Sequence, residues 1–218
     1  MSKISLEELS KVKGIGKKTI QRVRQQMIKD GQIKKKSIEE VGFPNKKYDV
    51  IYADPPWKYN KNLNEKGRDV ALHYPVMGLE HIKSLPVEKV SKENSILFLW
   101  VTFPKMDDGI ELIKSWGFKY KTLGFNWVKK NKKSDSLFWG LGYYTRSNPE
   151  VCLIGTKGSP DIKNNGVHSV IISKIERHSK KPQEVRDKIE KLMGEEVNKI
   201  ELFAREKVKG WDCWGNEV

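Results

Sequence analysis

The sequence predicts an α/β fold with a small helical unit in front of it. From Tyr48 onward, short apolar runs alternate with segments whose apolar residues recur at helical spacing, which is the pattern of a sheet with connecting helices. Before Tyr48, the apolar residues recur only at helical spacing. The 218 residues are 37% hydrophobic, which suffices for one main domain and a small addition.

Strands and helices are predicted where an apolar pattern is delimited by turn-forming residues. The last helix is an example, because Pro182 stands where a first turn tolerates proline and Gly194 ends its apolar stripe. The predicted strands are residues 48–53, 95–101, 120–128, 150–155, 170–172 and 199–203, and the predicted helices are 79–84, 105–116 and 183–193. Four tryptophans in apolar runs are predicted to pack in the core or at its edge: Trp100, Trp116, Trp127 and Trp139.

The positive charge of the chain is concentrated near its start. The formal net charge is +14, and the first 47 residues hold 13 basic and 5 acidic side chains. Such a concentration is typical of a protein that binds a polyanion, because each neutralised phosphate releases condensed counterions. The alternative is a solvated, lysine-rich helix surface. The predicted organisation is a helical unit over residues 1–36, a linker over 37–47 and a main domain over 48–218.

The first segment contains a glycine-rich turn between two predicted helices. Gly14 and Gly16 permit positive φ angles and leave backbone N–H groups open at the start of the second helix, while Lys17 and Lys18 supply positive charge. The segment from Leu6 to about residue 28 resembles a helix-hairpin-helix motif. That resemblance implies that the segment binds the DNA backbone without recognising the base sequence. The alternative is a simple turn between two helices.

Several function classes are disfavoured by what the sequence lacks. Its longest apolar stretch, residues 96–101, is too short for a membrane span, so we expect a soluble intracellular protein. The two cysteines and four histidines lack ligand spacing, so no metal site is predicted. Neither a dinucleotide-binding glycine motif nor a phosphate-binding loop follows the first predicted strand.

The motif Asp54-Pro55-Pro56-Trp57 does follow that strand, where ligands of open α/β sheets bind. A carboxylate can accept one hydrogen of an exocyclic amino group, and the Pro55 carbonyl can accept the second. The adjacent prolines fix both acceptors, and the Trp57 ring can stack on a base. The alternative is a proline-rich turn closed by a buried tryptophan.

This motif resembles that of amino-directed N-methyltransferases, and its tryptophan is typical of the MT-A70 family, which methylates adenine N6 in RNA or DNA. The resemblance runs from about Tyr48 to Val218. Further blocks lie in the family's order at residues 73–77, 98–102, 116–120, 179–182 and 199–205, and residues 142–150 and 210–217 resemble bacterial and phage DNA-adenine members.

The resemblance implies a Rossmann-like methyltransferase sheet and a DNA adenine-N6 methyltransferase that uses S-adenosyl-L-methionine. The implied partner is duplex DNA with a flipped-out adenine, in the cytoplasm of a bacterial cell or phage-infected host, and either a monomer or a homodimer is compatible. The alternatives are an RNA substrate, or a non-catalytic nucleic-acid-binding subunit of a heteromeric methyltransferase.

The resemblance also implies roles for individual residues. Asp54, Pro55, Pro56 and Trp57 would be catalytic. The implied substrate-binding residues are Tyr74, Arg146, Asn148 and Glu150, and the implied cofactor-binding residues are Asp54, Lys181, Glu201, Leu202, Arg205, Asn216 and Glu217. For Lys181, Arg205 and Glu217, the alternative is ordinary surface charge. For Tyr74 it is packing, for Glu150 a cap on the strand that follows, and for Arg146 and Asn148 a role in loop structure.

Deletion of residues 1–36 should weaken DNA binding and flatten its dependence on salt, because the deleted segment is strongly basic. The affinity for S-adenosylmethionine should change less. Binding of a labelled duplex at several salt concentrations measures the slope, and an unchanged slope in the truncated protein would contradict the hairpin assignment.

Overall fold

The computed structural model describes residues 41–59, 77–176 and 180–218, together with Thr19, Val23, Gln26 and Met27, which are helical. The chain divides into two units, Met1–Gly42 with Glu217 and Phe43–Asn216 with Val218. The predicted DNA-gripping residues of the first unit lie outside the described residues, as does one predicted substrate residue: Gly14, Gly16, Lys17, Lys18 and Tyr74. These assignments stay predictions.

The second unit is built on a mixed seven-stranded sheet with the order β5-β3-β4-β2-β1-β6-β7. Strand β4 is antiparallel to both neighbours, and the other pairs are parallel. The carboxyl ends of six strands and the start of β4 therefore share one edge. The strands are β1 Tyr48–Ala53, β2 Ser91–Val101, β3 Lys119–Lys130, β4 Glu150–Lys157, β5 Val170–Lys174, β6 Lys199–Leu202 and β7 Asp212–Trp214.

Helices connect these strands and cover the sheet. They are α1 Leu79–Lys83, α2 Val87–Val90, α3 Met106–Ser115 and α4 Glu184–Met193, with a short 3-10 turn at Phe103–Lys105. The α/β prediction and its six strands are confirmed within a few residues at their ends. Strand β7 and helix α2 are too short, at three and four residues, to show a period, and the sequence analysis missed both.

The two faces of the sheet follow from side-chain alternation along the central strands. On one face, Tyr52 of β1 and Phe98 of β2 pack in a buried cluster with Val185 and Ile189 of α4. On the other face, α3 lies so close that a Cβ at Gly109 would overlap the Val101 side chain. Because both faces are covered, β1 and β2 are almost continuously buried.

Three predicted core tryptophans, Trp100, Trp116 and Trp127, are buried as expected. Trp139 is not, because 60% of its surface is exposed, so that prediction is wrong. Its apolar run, residues 137–141, belongs to the loop between β3 and β4 rather than to a strand. Among the described residues, no helix has both the length and the apolar character that a membrane crossing requires.

The end of β6 has an unusual backbone that its neighbour β7 holds in place. Phe203 has φ 61°, a left-handed conformation that costs a residue with a side chain about 1–3 kcal/mol. The Ala204 N–H donates to the Trp214 carbonyl at 2.9 Å, and Phe203 packs edge-on against the Trp214 ring. Gly215 lies against the Ala204 backbone.

Gly215→Ala should lower the free energy of unfolding by about 1–3 kcal/mol, because the added Cβ would overlap backbone atoms of Ala204 that a rotamer change cannot move. Urea denaturation measures the loss. Gly42→Ala is the matched control, since a Cβ there meets no atom within 4 Å. Equal unfolding midpoints for the two variants would contradict this account of the β6–β7 contact.

Candidate active site

The candidate active site lies at the carboxyl end of β1, in the middle of the sheet. Strand β1 pairs with β2 on one side and with β6 on the other, and the chain reaches these neighbours by connections in opposite directions. Such a reversal leaves a crevice beyond the strand ends, where ligands of α/β proteins bind. Asp54 is the first residue beyond β1 and therefore opens into this region.

The loop after β1 is held by backbone hydrogen bonds. The Trp57 N–H donates to the Pro55 carbonyl at 2.9 Å, a tight turn centred on Pro56, whose ring restricts φ. The Met77 N–H donates to the Pro56 carbonyl at 3.0 Å. The Trp57 indole is 6% exposed and donates to the Trp100 carbonyl at 3.1 Å. Trp57 therefore anchors the loop to β2, and its stacking on a base stays a prediction.

Asp54 belongs to a partly buried network of four charged side chains. The Lys181 ammonium lies 2.7 Å from Asp54 Oδ2 and 3.3 Å from Glu150 Oε2. Glu150 Oε1 in turn accepts from Lys129 Nζ at 2.6 Å. The network joins the end of β1, the end of β3, the start of β4 and the segment before α4. Two carboxylates and two ammonium groups balance, so the site holds ionised groups without a net buried charge.

The network sets the ionisation of its members. Burial opposes ionisation of Glu150, but the ammonium groups of Lys181 and Lys129 outweigh it and lower its pKa to about 2. Burial likewise works against the charged form of Lys181, yet Asp54 and Glu150 raise its pKa above the usual value. Burial raises the pKa of Cys152 well above its usual value, so this nearby thiol stays protonated.

Aromatic rings form the floor beneath these charges. Lys181 Nζ lies 5.4 Å from the centre of the Trp100 ring, and Lys129 Nζ lies 5.4 Å from that of Trp127. The two rings meet edge to face at 6.4 Å. They stand on β2 and β3, on either side of β4, where Trp100 pairs with Cys152 and Trp127 with Glu150. The rings favour cations above them and exclude water from below.

A second buried ion pair lies at the end of β6. Both oxygens of Glu201 accept from the Arg186 guanidinium at 2.8 Å, and Arg186 lies over the Tyr52 ring. Glu201 and Leu202 are buried, so this part of the predicted cofactor set is tied into the core. The remaining predicted cofactor residues are partly exposed after β6 and β7: Arg205, Asn216 and Glu217.

The structure separates the two predicted substrate residues of the β3–β4 loop. Asn148 is buried, and its amide accepts from the Lys129 N–H and donates to the carbonyls of Lys129 and Phe138. It therefore holds the loop closed, and its contact with substrate stays a prediction. Arg146 is exposed. Of the predicted site residues, the structure brings together Asp54, Glu150 and Lys181.

Sequence analysis missed two members of these networks, Lys129 and Arg186. A signal for Lys129 exists, because Phe125, Trp127 and Lys129 alternate on one face of β3, so the lysine follows two buried rings. Arg186 is adjacent to Val185 in the apolar stripe of α4, but only the fold shows that Glu201 lies opposite. Within the described ranges, no group of His, Cys, Asp and Glu is placed to hold a metal.

A mixed α/β sheet with an Asp-Pro-Pro-Trp loop beyond its first strand defines an amino-directed methyltransferase. The chain belongs to the MT-A70 family, whose sequence model matches residues 48–217. The expected resemblance is thereby confirmed.

Three relatives show the range of this family. The chain is 38% identical over 193 residues to the type II methyltransferase M.MunI of Mycoplasma sp, with 80% of this chain and 79% of the relative covered. It is 31% identical over 174 residues to an N(6)-adenosine-methyltransferase MT-A70-like protein of Arabidopsis thaliana, covering 78% of this chain. It is 31% identical over 176 residues to the catalytic subunit METTL3 of Homo sapiens, covering 79%. The chain spans only 24% and 28% of the latter two proteins.

The stability that Glu150 adds should depend on pH between its ordinary and its folded pKa. Its folded pKa of about 2 lies below the usual 4.5, so the unfolded state binds more protons in this window and stability falls as the pH falls. The difference in unfolding free energy between wild type and Glu150→Gln should shrink by about 3 kcal/mol from pH 5 to pH 2.

Urea denaturation at several pH values measures this difference. Glu196→Gln removes the same charge from an exposed position and controls for the change of net charge. A constant difference between wild type and Glu150→Gln over the whole range would contradict the network as described.

Proposed function

We propose that the protein is a DNA adenine-N6 methyltransferase that uses S-adenosylmethionine. The observation that carries this proposal is the Asp54-Pro55-Pro56-Trp57 loop, fixed beside a partly buried ion network at the carboxyl edge of the sheet. DNA is favoured as substrate because the likeness to the type II methyltransferase of Mycoplasma extends over most of both chains. The plant and human adenosine methyltransferases match over about a quarter of their length.

The loop suits an exocyclic amino group as the acceptor of the methyl group. Adenine N6 is a poor nucleophile because its lone pair is delocalised into the ring. Hydrogen bonds from the amino group to Asp54 and to the Pro55 carbonyl favour a more tetrahedral nitrogen with a directed lone pair. The Pro55 oxygen accepts one hydrogen bond from Trp57 and, as a carbonyl, has a second lone pair for the substrate.

Lys181 positions Asp54 rather than acting as a base. Its ammonium occupies Oδ2 of Asp54 at 2.7 Å, and we assign the other oxygen of the carboxylate to the amino group of the substrate. Because its carboxylate neighbours raise the pKa of Lys181, the side chain carries its proton at neutral pH and has no lone pair to accept another. Rate enhancement then comes from orientation and fixed charge, with no covalent intermediate on the protein.

The residues at the ends of β1, β6 and β7 fit the chemistry of S-adenosylmethionine. A carboxylate at Asp54 suits a cationic ligand, and the polar groups of Arg205 and Asn216 suit a carboxylate, ribose hydroxyls and an adenine ring. When bound, the cofactor would supply a methyl group on a sulfonium, whose sulfur keeps the electron pair of the broken S–C bond and leaves as a neutral thioether. The left-handed backbone at Phe203 turns the chain directly after β6 at this edge.

RNA is the second candidate substrate, because relatives named adenosine methyltransferases match four fifths of this chain. Matched DNA and RNA oligonucleotides competing for labelled S-adenosylmethionine distinguish the two. Preferential labelling of RNA would replace the DNA assignment while leaving the site chemistry intact.

Asp54→Ala should reduce methyl transfer to adenine-containing DNA by at least about a hundredfold, because an acceptor that orients the amino group is lost. Lys181 keeps Glu150 as its partner in this variant, so the fold should persist. Transfer of labelled methyl groups, followed by nucleoside analysis for N6-methyladenine, measures the effect.

Asp107→Ala, an exposed aspartate of α3, is the matched control and should keep wild-type activity. Binding of DNA should be retained in both variants, and binding of the cofactor should be retained in Asp107→Ala. A cofactor-binding wild-type protein that methylates no adenine across varied DNA sequences would refute the proposed function.

A further inference from the structure

The loop between β3 and β4 exposes an unusual concentration of large apolar side chains. Within six residues, Trp139, Leu141, Tyr143 and Tyr144 are 60%, 63%, 63% and 102% exposed. Single exposed apolar residues are ordinary on a protein surface, but a contiguous group of this size marks a binding surface. The segment requires an explanation beyond packing, because its rings contribute little to the core.

Leu141, Tyr143 and Tyr144 belong to a short hairpin, residues 140–147, which we call the tip hairpin. Trp139 directly precedes it. Gly140 and Ser147 form an antiparallel bridge, with the Gly140 N–H donating to the Ser147 carbonyl at 2.7 Å. Ser147 Oγ also donates to the Leu141 carbonyl at 3.0 Å. A Cβ at Gly142 would overlap the Thr145 carbonyl, so the turn at the tip is tight. The hairpin therefore presents Tyr143 and Tyr144 at its outer end.

The base of the tip hairpin is joined directly to the candidate active site. Asn148 follows the hairpin and is hydrogen-bonded to the backbone of Lys129 on both sides of its amide group. Glu150, two residues further on, belongs to the same ion network as Asp54 and Lys181. The hairpin thus rises from the edge of the sheet at which the amino-group acceptors lie.

The charge around the tip hairpin fits a polyanion. The loop, residues 131–149, holds three basic side chains, Lys132, Lys133 and Arg146, and one acidic side chain, Asp135. The lysines and Arg146 are exposed. A surface that combines exposed rings with exposed cations is how proteins bind unstacked bases together with their phosphates.

We propose that the tip hairpin opens duplex DNA, with the Tyr144 ring entering the base stack where the target adenine leaves it. This inference rests on the proposed function, because only a flipped adenine brings its amino group to Asp54. Extrusion of a base costs unpairing and unstacking, and a ring that stacks on the remaining bases offsets part of that cost. The basic residues of the loop hold the flanking phosphates.

The test compares binding of two labelled duplexes of the same sequence, one fully paired and one with a single abasic site. A ring that enters the stack binds the abasic duplex more tightly, because no base has to be extruded there. Wild type should prefer the abasic duplex by about tenfold, and Tyr144→Ala should reduce that preference to about twofold or less. Tyr144→Trp keeps a ring and should retain it.

Ile172→Ala is the matched control, since Ile172 is 57% exposed on the edge strand β5, outside the hairpin. It should keep the wild-type preference. Methylation of unmodified duplex DNA, measured in parallel, should fall about tenfold in Tyr144→Ala and stay unchanged in Ile172→Ala. A wild type without preference, or a preference that Tyr144→Ala retains, would overturn the inference.

Light scattering of the same variants tests the competing occupant, a second copy of the chain. Conversion of a dimer to a monomer by Tyr144→Ala would make the hairpin a self-association surface and overturn its role on DNA. The two proposals fail separately. The proposed function is refuted if wild type prefers the abasic duplex but transfers no methyl group. Only the hairpin inference is refuted if wild type methylates duplex DNA but shows no preference that depends on Tyr144.

Discussion

The Lys181 ammonium, placed between the carboxylates of Asp54 and Glu150, is the interaction on which the site depends. It joins three segments that are distant in sequence: the loop after β1, the start of β4 and the residues before α4. Each charge would be costly at this burial without its partners. With Lys129 completing the balance, the network holds the Asp54 carboxylate, next in sequence to the Pro55 carbonyl, at the carboxyl edge of the sheet.

The aromatic residues of the sheet make this charged site possible. Trp100 and Trp127 give the two lysines a polarisable and water-excluding floor, and the two rings meet edge to face. Trp57 links the Asp-Pro-Pro-Trp loop to the backbone of β2. Rings inside the core thus support the chemistry, while the rings of the tip hairpin are exposed at the same edge. Aromatic residues therefore have two roles here: those inside the sheet support the ion network, and those of the tip hairpin form an exposed surface.

Sequence reasoning succeeded where a feature is local. Strand β1, the stripe of α4 and the Asp-Pro-Pro-Trp motif are continuous in sequence, and the structure has each where it was expected. Predictions from the sequence were wrong or incomplete where the role of a residue depends on its neighbours in the fold. Trp139 lies in an apolar run typical of a core, yet it belongs to an exposed loop. Asn148 binds the backbone of β3, and its contact with substrate stays a prediction. Arg186 was overlooked because Glu201 is its neighbour only across the sheet.

The sequence by itself determined the α/β class and the MT-A70 family, because both reside in periodicity and in short motifs that a chain carries before it folds. The concentration of positive charge in the first 47 residues is likewise a property of the sequence. Only the tertiary structure decided which of the many charged residues face one another. Burial and pairing are properties of strand order and register: Glu150 became a partner of Lys129 and Lys181 because β4 runs antiparallel and begins at the edge where β1 ends.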